Sequence, residues 1–306
     1  MTGLILRRLL QAPLILLVIY TVTFLLAWAL PGSAVLRDEG RAPPPEVLAA
    51  MEARYNLDNP VAFYFGYLEG VVTRFDFGPS LRYADWSVNE ILAGSLPVSI
   101  TLGLVAIAIA LVIGLAAGVA GALRPGSFLD GATLTLALIG VSLPTFVIGT
   151  ALLLLFPVWL GWGRVGAWGR PGDILLPAFT LSLPFAAYIA RLTRMGMIEA
   201  LDADYVRTAR AKGLSERAVI LRHALPNAFL PVLSYLGPAA AAAMTGSFVV
   251  EKVFNIPGVG QHFVNGVLNK DLFLIMGVVL VYAAILIMMN LVVDVLYRWV
   301  DPRIAA

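Results

Sequence analysis

A nucleophile facing a base, a thiolate, or a cluster of imidazoles would mark a chemical centre, and this sequence offers little of any. Its two histidines, His223 and His262, are far apart and outside the long apolar runs, and cysteine is absent. Disulfides, thiol catalysis and thiolate metal sites are therefore excluded, and two separated imidazoles make a poor transition-metal centre. Gly246-Ser247 lacks the surrounding Gly-x-Ser-x-Gly pattern of a hydrolase and has no evident base. No Gly-x-x-x-x-Gly-Lys-Ser/Thr run occurs, so nothing in the chain is built to cradle a nucleotide phosphate. The expectation is no catalytic residue, no cofactor, no metal and no enzyme activity, with any ATP hydrolysis borne by other chains.

The elements that carry these residues are apolar. Hydrophobic residues make up 60% of the 306 positions and charged ones 13%, and the mean hydropathy of +0.88 is more than a water-soluble fold can hide. A formal charge of +2 is too small to suggest nucleic acid. A helix needs about 20 apolar residues to cross a bilayer. Six runs qualify: Leu9 to Leu30, Pro97 to Leu123, Gly131 to Trp162, Ile174 to Ala190, Phe229 to Val250 and Leu272 to Tyr297. The third is overlong and is expected to end near Phe156, before Pro157 and a glycine-rich loop. The fourth is short and interrupted by Pro177 and Pro184. The reading is an all-α polytopic membrane protein with six transmembrane helices.

Charge sets the orientation, because basic residues beside span ends collect on the cytoplasmic face. Arg7, Arg8, Arg124, Arg191, Arg194, Arg207, Arg210, Lys212, Arg217, Arg222, Arg298 and Arg303 fall on one side. Both termini and the loop from Arg191 to Asn227 are thus expected in the cytoplasm. The chain divides into an N-terminal transmembrane helix (1–30), an extracytoplasmic segment (31–96) holding the triple proline at 43–45, and a five-helix core (97–306) with a cytoplasmic loop at 194–228. Arg7-Arg8, the apolar run and Ala27-Trp28-Ala29 also fit a cleaved signal peptide, but the run exceeds the roughly 7–15 residues usual there. The spans are nearly bare of charge. Asp130, Asp173, Arg191 and Asp294 sit at span ends, where capping or snorkelling explains them, so an ion-coupled transporter lacks its coupling groups.

Two features remain. Small residues gather at Gly114 and Gly118 in the second span and at Gly237, Ala241, Gly246 and Ser247 in the fifth, where backbones can approach closely. Plain packing within the chain and a role at a subunit seam or translocation path are both open. The other feature is the basic loop. Ile198, Leu201, Tyr205, Val206 and Ala209 recur at helical spacing, Gly213 suits a left-handed helix stop, Ser215 can cap a second short helix with Glu216 in its first turn, and Pro226 precedes the next span. A docking surface and an anchor on anionic membrane lipid are the readings.

At these residues the chain resembles the inner-membrane permeases of binding-protein-dependent ATP-binding-cassette importers. Their motif Glu-Ala-Ala, Gly, Ile-x-Leu-Pro falls on Arg207-Thr208-Ala209, Gly213 and His223-Ala224-Leu225-Pro226. Gly213, Leu225 and Pro226 match; Arg207 and His223 depart in the manner of the peptide branch, where Arg-Thr-Ala-Arg-Ala-Lys-Gly-Leu is usual. Asp76-Phe77-Gly78-Pro79-Ser80, Ile256-Pro257-Gly258 and Asp301-Pro302 extend the similarity to the B-type subunits of oligopeptide permeases, within the peptide/nickel family. The resemblance implies a type I importer permease fold in a bacterial cytoplasmic (inner) membrane. It implies a heterodimer with a second homologous permease, two cytoplasmic ATPases, an extracytoplasmic peptide-binding protein and a peptide substrate. It makes Tyr205, Arg207, Thr208, Ala209, Arg210, Lys212, Gly213, Leu214, His223, Ala224, Leu225 and Pro226 an ATPase-coupling loop. Pro257 and Gly258 become candidates for an outer gate, beside the plainer reading of a connecting loop. Dipeptides, nickel or glutathione are alternative cargoes, and an ion-coupled secondary transporter is the alternative of another class.

Overall fold

The computed structural model describes residues 2–31, 45–83 and 85–300, and nearly all of them are helical. The triple proline (apart from Pro45) and the Asp301-Pro302 motif lie outside the described residues. The helices are α1 (Thr2–Ala29), α2 (Pro45–Tyr55), α3 (Pro60–Arg74), α4 (Val88–Leu123), α5 (Phe128–Ser142), α6 (Thr145–Leu153) with a π-helical turn (Leu154–Trp159), α7 (Leu175–Asp202), α8 (Asp204–Ala211), α9 (Glu216–Ala218) with a second π-helical turn (Val219–Ala224), α10 (Leu225–Ala228), α11 (Leu230–Met244), α12 (Phe248–Phe254), α13 (Val259–Leu268) and α14 (Leu272–Val300). Four of them, α1, α4, α7 and α14, are long and apolar enough to cross a membrane, and the number is up to six when each of two bent pairs is counted as one span.

Packing divides the chain into two units, Met1–Ser99 with Pro257–Ile287 and Ile100–Ile256 with Met288–Ala306. In the first unit aromatic rings join α1, α3 and α14 within an otherwise aliphatic core. Tyr20 and Phe24 of α1 meet Phe63 and Tyr67 of α3, and Phe63 meets Phe273 of α14 edge-on at 5.2 Å between ring centres, the geometry the ring quadrupole favours. The segment expected to be a polar outer stretch is thus folded. Asn59 accepts the backbone N–H groups of Val61 and Ala62 at 3.1 Å and starts α3 ahead of Pro60, an N-cap with proline at the first helical position.

The second unit departs from the expected spans at four places. The run from Gly131 to Trp162 is two helices bent by 100°. The break is at Leu143, whose extended backbone (φ −81°, ψ 132°) is the conformation a residue before proline prefers, and Pro144 has no N–H to continue α5. Pro157 does not stop the chain near Phe156; it sits inside the π-helical turn that runs to Trp159. The fifth run ends at Met244 rather than Val250, because Gly246 turns left-handed (φ +85°) and Ser247 caps α12 through the Val250 N–H.

The fourth run is longer than expected, and the reason involves Asp130. This carboxylate caps no more than its own turn in the sequence reading, yet it is 3% exposed and accepts two bonds from the Arg194 guanidinium, at 2.5 and 2.8 Å, plus the Gly126 N–H at 2.8 Å. The fork joins α5 to α7, which continues past Ala190 to Asp202. Removing one partner strands the other in a poorly hydrated place, whereas removing both does not. Arg194→Leu is expected to lower the melting temperature of the detergent-purified protein. The Asp130→Leu/Arg194→Leu double variant should recover much of that loss.

Candidate functional site

The loop between α7 and α11 is a folded hairpin. The amphipathic helix expected from Ile198 to Ala209 is interrupted: α7 stops at Asp202, Ala203 is extended (φ −73°, ψ 149°), and α8 begins at Asp204. Flanking aspartates weaken helix continuation and favour a fresh start, since their carboxylates suit a first turn. Gly213 is left-handed (φ +77°) and its N–H donates to the Arg210 carbonyl at 2.9 Å. The Ser215 hydroxyl then accepts the Ala218 N–H at 3.4 Å and starts α9, with Glu216 in its first turn. The chain enters α11 through a 54° bend.

The hairpin has two faces. Val206, Ala209, Val219 and Ala224 are buried against Ala122 of α4 and Met197 and Ala200 of α7. Gly196 lets this happen, because a Cβ there would lie 2.9 Å from the Ala228 carbonyl oxygen. Tyr205, Arg207, Thr208, Arg210, Lys212, Gly213, Leu214 and Pro226 are exposed, while His223 and Leu225 are half-buried. Arg210 grips Glu216 through two hydrogen bonds, of 2.6 and 3.2 Å, across the glycine turn. Asn227 donates to the Tyr205 hydroxyl at 3.0 Å, tying the two ends of the hairpin. The Arg207 contacts to Asp202 and Asp204, at 3.4 and 3.5 Å, are solvated and weak. The outcome is a braced, basic surface with exposed leucines at 214 and 221. Leu221, Gly196 and Asn227 escaped the sequence reading; only the fold separates them from other small or apolar residues nearby.

The small residues scatter. Gly114 and Gly118 face α7: added Cβ atoms would come within 2.7 Å of Ile189 and 2.5 Å of Thr193, with backbone carbonyls of Ala186 and Ala190 at 2.8 and 2.6 Å. Their i, i+4 spacing is used for a close crossing inside the chain. Gly103, absent from the expected set, is used in the same way, since an added Cβ there would lie 2.5 Å from the Ala243 backbone of α11. Gly237 packs on Asn290 of α14, and Ala241 is buried. Gly246 and Ser247 form the bend before α12. An apolar groove of about 500 Å³ opens elsewhere, lined among others by Ile113, Ala117, Gly140 and Phe179, and none of the expected small residues lines it. Gly118→Val is expected to destabilise the purified protein by about 2 kcal/mol or more, since backbone blocks any relief; the melting temperature checks it.

Pro257 is exposed and Gly258 is buried at the start of α13. Ile256 and Pro257 are also where the chain passes between the two packing units.

The model of the family "Binding-protein-dependent transport system inner membrane component" matches residues 110–306, and that for "Binding-prot-dependent transport system membrane comp, N-term" matches residues 1–102. The chain belongs to this family. It is 44% identical over 303 residues to the oligopeptide transport system permease protein OppB of Haemophilus influenzae, covering 98% of each chain, and to OppB of Escherichia coli by the same measures. It is 45% identical over 289 residues to the dipeptide transport system permease protein DppB of Bacillus subtilis, covering 94% of this chain and 93% of that one. In structure it is similar to an inward-facing form of the MetNI methionine ABC transporter (TM-score 0.53, 19% identity, 69% of this chain and 96% of that one), which shows a shared permease fold. As a member of this family, the chain is a multi-pass membrane component of a transport system.

Proposed function

We propose that this chain is one of two channel-forming subunits of an ATP-driven importer that moves oligopeptides into the cell, and that the 203–228 hairpin receives the motion of the ATPases. The hairpin itself carries the reading: a rigid, basic surface whose inner face is packed on α4 and α7 can pass a push directly to the spans. The near-full-length identity to OppB supports the cargo. In this reading both termini and the hairpin are cytoplasmic, residues 31–96 are extracytoplasmic, and residues 97–306 form the core that pairs with a second, homologous permease. A binding protein delivers peptide on the outer side, and two ATPases dock at Tyr205 to Pro226. Gly246 and Ser247 stay candidates for the path or seam, and Pro257-Gly258 for the outer gate.

The test is uptake of a labelled pentapeptide in cells with and without the gene, beside recovery of an ATPase with the tagged chain. Uptake and recovery that both survive loss of the hairpin would sink the assignment. The comparable identity to DppB, 45% over 289 residues, supports dipeptides as a second reading. Competition settles it: excess dipeptide should leave pentapeptide uptake largely intact if oligopeptides are the cargo.

A further inference from the structure

Within the first packing unit, the end of α2, one face of α3, the turn at Asp76–Pro79 and Phe273 of α14 enclose a pocket of about 250 Å³. Its aromatic floor is Phe63, Tyr67 and Phe273, all buried. The α3 wall is smooth because Ala62, Gly66 and Gly70 recur there at i, i+4 spacing. A Cβ added at Gly66 would meet nothing within 4 Å, so the space in front of it is open.

The rim carries both signs. Arg54 and Arg74 are exposed, and among the described residues neither guanidinium has an ion-pair partner. Arg54 lies 5.4 Å from the centre of the Tyr55 ring, a contact that steadies its head group. Asp76 accepts the Gly78 N–H through one carboxylate oxygen at 2.8 Å, which leaves the other oxygen for a further contact. Guanidinium groups suit a carboxylate, a lone carboxylate suits an ammonium, and an aromatic floor suits an apolar side chain. An acidic protein surface would meet repulsion at Asp76. A short peptide with free ends brings both charges at once, and a dipeptide is of the size the pocket holds.

We infer that this pocket is a subsite for short zwitterionic peptides, with the carboxylate at Arg54 and Arg74, the ammonium at Asp76 and an apolar C-terminal side chain on Phe63 and Phe273. The inference rests on the peptide-importer reading and places a second point of peptide contact outside the membrane core.

Titration calorimetry on the full-length chain in nanodiscs tests it with Ala-Phe, Ala-Phe amide and N-acetyl-Ala-Phe. Ala-Phe should bind, and amidation, acetylation, Arg54→Ala or Arg74→Ala should each weaken binding about tenfold. Gly66→Leu should abolish binding while the melting temperature holds or rises, because glycine in a helix interior is itself unfavourable. Undiminished binding to Gly66→Leu, or none to the wild type, overturns the pocket. If cells still import pentapeptide in that case, the importer reading stands without the subsite; if they import none, that reading falls separately. Arginine variants that lose only capture of the binding protein, with Ala-Phe never binding, would make this a protein contact and also overturn the inference.

Discussion

Gly213→Pro is expected to abolish pentapeptide uptake while the chain still inserts in the membrane and co-purifies with the proposed second permease. Proline holds φ near −65°, and the backbone at 213 is at +77°. The substitution also deletes the N–H that donates to the Arg210 carbonyl at 2.9 Å. The turn cannot be kept, and the Arg210–Glu216 brace across it goes with it. Because Gly213 is exposed and a Cβ there would meet nothing within 4 Å, the spans have no reason to suffer. Gly213→Ala separates shape from coupling: its strain is only about 1 kcal/mol, and uptake should fall partially. Normal uptake by Gly213→Pro at normal expression would remove the hairpin from the path of force.

Asp271→Ala should destabilise the first packing unit by about 2–3 kcal/mol, the largest loss expected from one polar side chain there. Asp271 is fully buried just ahead of α14. It accepts the Ser80 hydroxyl at 2.6 Å, the Arg82 N–H at 3.1 Å and the Leu274 N–H at 3.1 Å, so it both starts the helix and fastens the 80–82 turn to it. Truncation leaves those donors unmatched. Burial pushes the carboxyl above its ordinary 3.8, against the pull of its hydrogen bonds. A raised pKa in the folded state means the folded protein holds the proton more tightly, so this contribution is full below 3.8 and lost as pH rises through the folded value. The difference in melting temperature between wild type and Asp271→Asn should therefore shrink from pH 4 to pH 8. A difference that is flat, or that grows, would contradict the burial argument.

The parts of this protein that were legible from residue order are those governed by short range. Apolar runs marked α1, α4 and α14, because membrane crossing is a matter of length and hydropathy. Gly213 and Ser215 were legible as turn and cap, since both act on backbone within a few residues. Pro144 and Pro157 are equally local signals, and the difference between them is context: one falls where α5 and α6 diverge by 100°, the other is absorbed in a π-helical turn. The helical continuation from Ile198 past Ala203 followed the hydrophobic period, which does not register a single extended residue.

Residue order alone thus accounts for a charge-poor membrane chain with a basic, glycine-turned loop. It could not say which small residues are used inside the chain, that Asp130 reaches Arg194 across 64 positions, or that Arg54, Arg74 and Asp76 share a pocket with Phe273. Hydropathy and spacing report what a residue does to its own helix. Partners far along the chain are set by how helices pack, and the Asp130–Arg194 fork and the pocket between α2, α3 and α14 are of that second kind.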